Sequence, residues 1–449
     1  MSDLFGSFCF LISEVSRTQM SKAHRRIYIR SFGCPTNFAD GEVITDCLLT
    51  AGHEVVQKVE DADILIYNTC AVKAPTENRI MNLLKNSPKD KKLIVTGCLP
   101  LINLERLRAG AKANGIVGPS PGIRIVEAVS KVASGQEVVM LEKDFLPSLH
   151  FSRIRKNKVI EIVPINYGCL GSCSYCCVVF ARGRLRSYRI DEIVERIKFD
   201  LTCGVKEVWL TSQDTGCYGK DIGTNLAKLL RRIARIDEEF FVRVGMMTPN
   251  LALESLDDLI QVYKDEKIFK FLHLPVQSGD NEVLRNMNRF YLAKDFEEII
   301  SRFRKEIPDI TIATDVICGF PGESDEAFKE TLKLIEVTQP DIVNASKFFP
   351  RPHTAAEKMK LRISSREVSE RSKKMAKLAK KISLEKNKNW AEWKGKILVD
   401  ERGKVSNSWI GRNFAYKPIV IKSKKNLLGN FLDVKVVKTY ATYLRAKIF

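Results

Sequence analysis

Three cysteines in the run Cys169-Leu-Gly-Ser-Cys173-Ser-Tyr-Cys176 carry the most evident chemistry in this chain. Thiolates separated by three and then two residues, on a loop made supple by Gly168 and Gly171, can each bind one iron of a cubane cluster. The fourth iron is then left without a protein ligand. An open metal position is where a small molecule binds and reacts, as at catalytic zinc sites. Zinc competes for the same residues, but zinc motifs bring four Cys or His ligands in two close pairs, and no second pair lies nearby. Cys177 completes a set of four only awkwardly, because adjacent residues rarely ligate one metal.

A second trio is dispersed. Cys34, Cys70 and Cys98 each close a segment that begins with a short apolar run, at 27–29, 64–67 and 93–95. The ordinary fate of a free cysteine is to pack as a small buried hydrophobe. Three of them in equivalent places, beside small or polar residues, instead predict a second cluster that again has three protein ligands. Cys203, Cys217 and Cys318 have no matching spacing and are expected to pack.

The elements that must position these groups are legible as periodicities. Between residues 26 and 141, the apolar runs at 27–29, 64–67, 93–95 and 115–117 alternate with helical patterns such as 41–51, 77–84 and 122–132. That rhythm predicts a parallel α/β sheet, whose ligands gather at the carboxyl ends of its strands. From 159 onward six strand–helix units are expected, with strands near 159–166, 206–212, 240–246, 269–274, 311–318 and 341–347. Such units build a full or partial parallel barrel with its function at the same strand ends. Six units in place of eight leave one side open to a bulky substrate.

Several polar groups belong to that mouth. Ser212, Gln213 and Asp214 end the second strand, where an amide and a carboxylate can accept an ammonium group, or where a turn can use them as a helix cap. His273 and Gln277 lie at and beyond the fourth strand, and a lone His there is more often a structural hydrogen bonder than a catalyst. The segment Gly319-Phe-Pro-Gly322-Glu323 follows the fifth strand and reads as a turn that can lie along a bound nucleoside.

Charge points to a partner. The formal net charge is +19, and residues 361–390 carry +7 of it while residues 391–449 carry +9. A basic concentration at one end favours a polyanion, with nucleic acid the first candidate. Residues 364–389 read as a long basic helix, followed by short strands near 396–400, 409–411, 418–421, 431–437 and 441–446 that predict a small antiparallel β-barrel. On that barrel Lys417, Lys422, Lys424 and Lys425 are candidate phosphate contacts, and Trp409, Phe414 and Tyr416 can stack bases or fill the core. No apolar run approaches the roughly 18 residues of a spanning helix, and the stretch 4–12 lacks the basic leader of a signal peptide. Met20 is a candidate start. Twelve cysteines without an export signal imply a reducing compartment.

The triplet with Tyr175 before its last cysteine resembles the radical S-adenosylmethionine (SAM) superfamily. The strings Ser31-Phe-Gly-Cys34-Pro-Thr-Asn37, Tyr67-Asn-Thr-Cys70-Ala-Val72, Val95-Thr-Gly-Cys98 and His273-Leu-Pro-Val-Gln277-Ser-Gly resemble the methylthiotransferases. Ala181-Arg-Gly183-Arg184 and Glu207-Val-Trp-Leu-Thr-Ser-Gln-Asp214 are similar to the archaeal and eukaryotic members that modify threonylcarbamoyladenosine in tRNA.

The resemblance implies two [4Fe-4S] clusters. Cys169, Cys173 and Cys176 would hold the one that cleaves SAM, with Tyr175, Ser212, Gln213 and Asp214 about the SAM molecule. Cys34, Cys70 and Cys98 would hold the one that delivers sulfur. The implied reaction adds a methylthio group to C2 of N6-threonylcarbamoyladenosine at position 37, in the tRNA anticodon stem-loop. An electron-donor protein, a monomeric state and a cytoplasmic location follow, with no membrane. Isopentenyladenosine in tRNA, an aspartate of a ribosomal protein, and a non-catalytic iron–sulfur RNA-binding scaffold are the alternatives. The expected organisation is a leader at 1–25, a methylthiotransferase amino-terminal domain at 26–141 and a linker at 142–157. A radical SAM core with its basic bridging helix at 158–390 and an RNA-binding barrel resembling a TRAM domain at 391–449 complete it.

Overall fold

Strand β3 (Ile64–Thr69, ILIYNT) is buried at all six positions, the pattern of a strand covered on both faces. It lies inside a wholly parallel sheet whose order is β2-β1-β3-β4-β5-β6, with β1 at Arg26–Ser31, β2 at Glu54–Val56, β4 at Lys92–Gly97, β5 at Gly115–Val117 and β6 at Val138–Met140. The connections run through helices that include Pro35–Thr50, Ala74–Lys85 and Arg124–Ala133. Ile27, Ile44, Leu48, Ile66, Ile94 and Val129 close the core. The parallel sheet expected for this region is present.

The computed structural model describes residues 24–143, 146–149, 154–155 and 157–449. The expected leader, apart from its last two residues, and part of the expected linker lie outside them. The chain divides into two units, Met1–Ala71 with Pro75–Ile154, and Val72–Ala74 with Arg155–Phe449.

In the second unit six parallel strands follow one another. β7 (Ile160–Pro164), β10 (Glu207–Thr211) and β11 (Phe241–Val244) form one ladder, and β12 (Phe271–His273), β13 (Thr311–Cys318) and β14 (Ile342–Lys347) form another. A parallel bridge between Val242 and Ile268 joins the two ladders, giving the order β7-β10-β11-β12-β13-β14. The partial barrel is open between β7 and β14, as the count of six units requires. A short antiparallel pair, β8 (Asn166–Tyr167) with β9 (Arg186–Ser187), brackets the cysteine loop after β7.

The last strands close a five-stranded barrel, β15-β16-β17-β19-β18, from Lys394–Arg402, Ser408–Arg412, Pro418–Lys422, Leu444–Ile448 and Phe431–Thr439. One feature corrects the antiparallel expectation. β17 and β19 pair in parallel, because the final strand inserts between β17 and β18 and so seals both edges.

This small barrel is fused to the partial barrel through a buried polar seam. Tyr416 packs its ring 4.8 Å from that of Phe269 and 5.1 Å from that of Phe271, with the Arg243 guanidinium 5.4 Å from its centroid. Glu207 accepts from Trp209 Nε1 at 2.5 Å, and its second oxygen has no partner among the described residues. Burial, and then the charge of Asp400, push the Glu207 carboxyl up to about 8, against the pull of Arg412 and Arg243. The folded protein therefore binds a proton here that the unfolded chain has already released. The stability due to this group is complete below the ordinary carboxylate range and is lost as pH rises toward about 8. Glu207→Gln is expected to flatten the fall in Tm between about pH 5 and pH 8. Parallel melting curves for variant and wild type across that range would refute it.

Candidate functional site

The first trio sits where the sheet delivers it. Cys34 precedes the helix Pro35–Thr50, Cys70 follows β3 at once, and Cys98 follows β4, three adjacent strands of one parallel ladder. Two glycines make the approach possible. Gly33, at φ +105°, lies so close to Cys70 that an added Cβ would stand 2.8 Å from its Sγ. Gly97, at φ +94°, would place a Cβ 2.3 Å from the Thr69 carbonyl oxygen, which accepts from the Cys98 N–H at 2.9 Å. Both positions need a backbone that L side chains rarely adopt. Asn37 and Asn68 lock the loops together: Asn37 Nδ2 donates to the Phe32 carbonyl at 2.6 Å, and Asn68 Nδ2 to the Asn37 carbonyl at 2.6 Å. Cys34 is exposed, whereas Cys70 and Cys98 are buried.

The second trio occupies the loop after β8. A methyl at Gly171 would lie 3.3 Å from the Cys169 Sγ and 3.7 Å from the Cys173 Sγ, so both sulfurs border one small space. The loop is pinned on every side. Gly168 N–H donates to Gln213 Oε1 at 2.7 Å, Asn288 Nδ2 to the Ser172 carbonyl at 2.9 Å, and Ser174 N–H to the Met287 carbonyl at 3.0 Å. Tyr175 packs edge-on against Phe320, with ring centroids 6.4 Å apart, beneath the turn of Gly319 and Gly322.

Two neighbours of these sulfurs are not legible from spacing. Arg289, 116 positions from Cys173 in sequence, donates from Nη1 to the Cys173 Sγ at 3.1 Å, and from Nη2 to the Pro275 carbonyl at 3.2 Å. Cys217, expected only to pack, is buried beside Cys169, with its thiol donating to the Asp214 carbonyl at 3.0 Å. A half-buried cation on the Cys173 sulfur and the Gly171 N–H on the Cys169 sulfur at 3.2 Å suit a thiolate-held, negatively charged cluster. Among the described residues no three Cys, His, Asp or Glu converge tightly enough to hold a single ion. Cubane ligands bind separate irons and have no need to converge so. Cys217→Ala is expected to keep the full iron content of the wild type, measured after anaerobic reconstitution, because Cys217 stands beside Cys169 but outside the expected trio. A loss of about four irons would make it a ligand.

The residues after β10 divide by role. Asp214 is buried and accepts from the Gly216 and Thr248 N–H groups at 3.0 and 3.2 Å, so it caps the turn that follows. Gln213 holds the cysteine loop. Ser212 Oγ is buried and unpartnered among the described residues. At the strand ends across the mouth, His273 Nε2 lies 3.0 Å from Asp315 Oδ2, and Asn344 Nδ2 donates to Asp315 Oδ1 at 2.8 Å. Burial alone would raise the Asp315 carboxyl, but these contacts hold it below the ordinary carboxylate range. Gln277 reaches φ +68° and is buried, bridging to β13 through backbone bonds with Asp315 and Ile317. Glu323 turns back to accept from the Gly319 N–H at 2.8 Å and pairs with Arg371 at 2.7 Å.

The small barrel corrects the expected nucleic-acid contacts. Lys417 is buried and paired with Asp341 at 2.7 Å, and Trp409 and Tyr416 are buried while Phe414 packs against the barrel core. Trp409 faces the barrel core from β16, while Phe414, Tyr416 and Lys417 lie in the turn between β16 and β17, with Tyr416 packed on Phe269 and Phe271. Lys422, Lys424 and Lys425 are exposed.

Residues 163–335 match the Radical SAM superfamily, residues 26–118 the "Uncharacterized protein family UPF0004", and residues 396–449 the TRAM domain. The chain is 44% identical over 431 residues to a "Probable threonylcarbamoyladenosine tRNA methylthiotransferase" of Pyrococcus horikoshii, covering 94% of this chain and 99% of that protein. It is 35% identical over 432 residues to the "Threonylcarbamoyladenosine tRNA methylthiotransferase" of Homo sapiens, covering 94% and 74%. Among solved structures, the radical S-adenosylmethionine methyltransferase TsrM of Kitasatospora setae aligns with a TM-score of 0.56 at 14% identity, over 74% of this chain and 75% of that one. That likeness is one of fold.

Proposed function

The chain belongs to the threonylcarbamoyladenosine tRNA methylthiotransferase family, and on that premise we propose that it adds a methylthio group to C2 of N6-threonylcarbamoyladenosine at position 37 of tRNA. The observation that carries the reading is the pair of cysteine trios, each lying in loops that follow parallel strands of its own unit. Cys169, Cys173 and Cys176 are the residues that would hold one [4Fe-4S] cluster, and Cys34, Cys70 and Cys98 the other. When bound, the first supplies the electron that cleaves SAM, and the second supplies the sulfur.

The protein's own groups prepare those sites. Arg289 offsets charge at Cys173 and is itself held by the Pro275 carbonyl, so it needs no rearrangement to act. Gln213 and Asp214 work by shape, fixing the loop and the turn beside it. Ser212 keeps a hydroxyl unspent for the SAM molecule, and Tyr175 sets the floor against Phe320. His273, oriented by Asp315, presents a ring to whatever base enters the open side of the barrel.

The location proposed is the cytoplasm, with a protein electron donor and a monomeric enzyme. No helix among the described residues is long and apolar enough to cross a membrane. The test is mass spectrometry of tRNA nucleosides from cells with and without the gene. Deletion is expected to leave N6-threonylcarbamoyladenosine without its methylthio group. An unchanged nucleoside profile would reject tRNA as the substrate, and a change confined to isopentenyladenosine would replace the base.

A further inference from the structure

The helix Ser365–Lys388 separates its faces sharply. Val368, Arg371, Met375, Ala379 and Ile382 are buried, a stripe at spacings of three and four that packs inward. On the opposite face stand Lys373, Lys374, Lys377, Lys380 and Lys381, all exposed. Their positions i, i+1, i+4, i+7 and i+8 lie on one side of an α-helix and span about 12 Å of its length. The three glutamates of this helix are engaged elsewhere, Glu367 with Arg371, Glu370 with Arg366 and Glu385 with Lys388. The five lysines have no carboxylate partner among the described residues.

The stripe leads to an aromatic pair. Asn387 Nδ2 donates to the Tyr440 and Ala441 carbonyls at 2.8 and 3.2 Å, which ties the end of the helix to the turn between β18 and β19. There Tyr440 and Tyr443 stack with centroids 4.5 Å apart and planes 18° apart, both partly exposed, and Lys438 Nζ lies 5.4 Å from the Tyr440 centroid. A track of uncompensated cations ending at partly exposed rings is the arrangement by which proteins follow a nucleic-acid strand. Five like charges within about 12 Å repel one another unless a polyanion covers them.

We propose that this lysine face is a principal tRNA contact of the protein, with Lys373, Lys374, Lys377, Lys380 and Lys381 lying along the phosphates of one strand. The inference rests on the tRNA reading above and locates its grip on the bridging helix, ahead of the Lys422–Lys425 loop of the small barrel.

The test is the salt dependence of binding by the full-length chain to an unmodified tRNA transcript. Each phosphate neutralised contributes roughly 0.7 to 0.9 to the slope of log K against log salt. The triple variant Lys373→Gln, Lys377→Gln, Lys381→Gln is expected to lose about 2 from that slope and to bind roughly tenfold or more weakly near 0.1 M salt. The matching triple arginine variant is expected to restore both. Cleavage of SAM without tRNA should be unchanged in either, which shows that the fold and cluster are intact. A glutamine variant with wild-type slope and affinity overturns the inference, as does a loss of slope seen only for Lys422→Gln, Lys424→Gln, Lys425→Gln. A wild-type chain with no affinity for tRNA would instead overturn the tRNA reading itself.

Discussion

Cys169→Ala is expected to reduce 5'-deoxyadenosine formation from SAM to background, whereas Cys70→Ala keeps it and loses only the methylthio product. The asymmetry follows from where the thiols stand. Cys169 shares one small space with Cys173, and its own sulfur accepts from the Gly171 N–H at 3.2 Å. Losing one of three ligands at an already incomplete cluster leaves two, too few to retain it. Cys70 belongs to another ladder, where its side chain lies against the backbone of Gly33. Each variant should therefore lack about four irons and keep about four. Anaerobic assay with chromatographic detection of both products, beside iron and sulfide analysis, decides it. Activity of Cys169→Ala on SAM, or loss of all iron from Cys70→Ala, would dismantle the assignment of two separate clusters.

The largest expected effect on stability lies far from the sulfurs. Arg196→Ala should destabilise the protein by about 3–5 kcal/mol, since it strips one cation from two buried carboxylates. Arg196 Nε donates to Asp200 Oδ2 at 2.8 Å and Arg196 Nη2 stands 3.5 Å from Glu161 Oε1, while Arg155 reaches both acids at 3.2 and 3.3 Å. Both carboxylates are fully buried. With Arg196 gone, one guanidinium must serve two charges in a low dielectric. Converting the pair together, Arg196→Met with Asp200→Leu, is expected to recover most of the loss, because apolar packing then replaces a desolvated pair. Urea unfolding compares the three proteins. If the single variant is as stable as the wild type, the quartet contributes nothing.

Much of this architecture was legible before any coordinates. Cysteine spacing picks out the first trio and position after apolar runs the second, and the apolar runs locate all six strands of the partial barrel, since each is short and local, even where a strand such as β14 stays partly exposed. Contacts across long sequence separations were not. Arg289 meets Cys173 only because the loop after β12 folds back over the cysteines, and nothing in its neighbours advertises a sulfur acceptor. Asp214 was balanced between ligand and cap until Thr248, on another segment, supplied the donor. Lys417 read as surface charge because its partner, Asp341, lies 76 positions away. The parallel closure of β17 with β19 is hidden from the sequence for the same reason: turns announce hairpins, while the pairing of distant edges has no local mark.

The seam beneath Tyr416 bears on how RNA-binding experiments with this enzyme should be designed. A chain truncated ahead of β15 would bare Phe269 and Phe271, leave Asp341 without Lys417, and uncover Arg243 and Glu207 at the base of the catalytic barrel. Such a fragment would aggregate for reasons unrelated to tRNA. Point substitutions on exposed side chains, rather than deletion, are the means of separating recognition from catalysis.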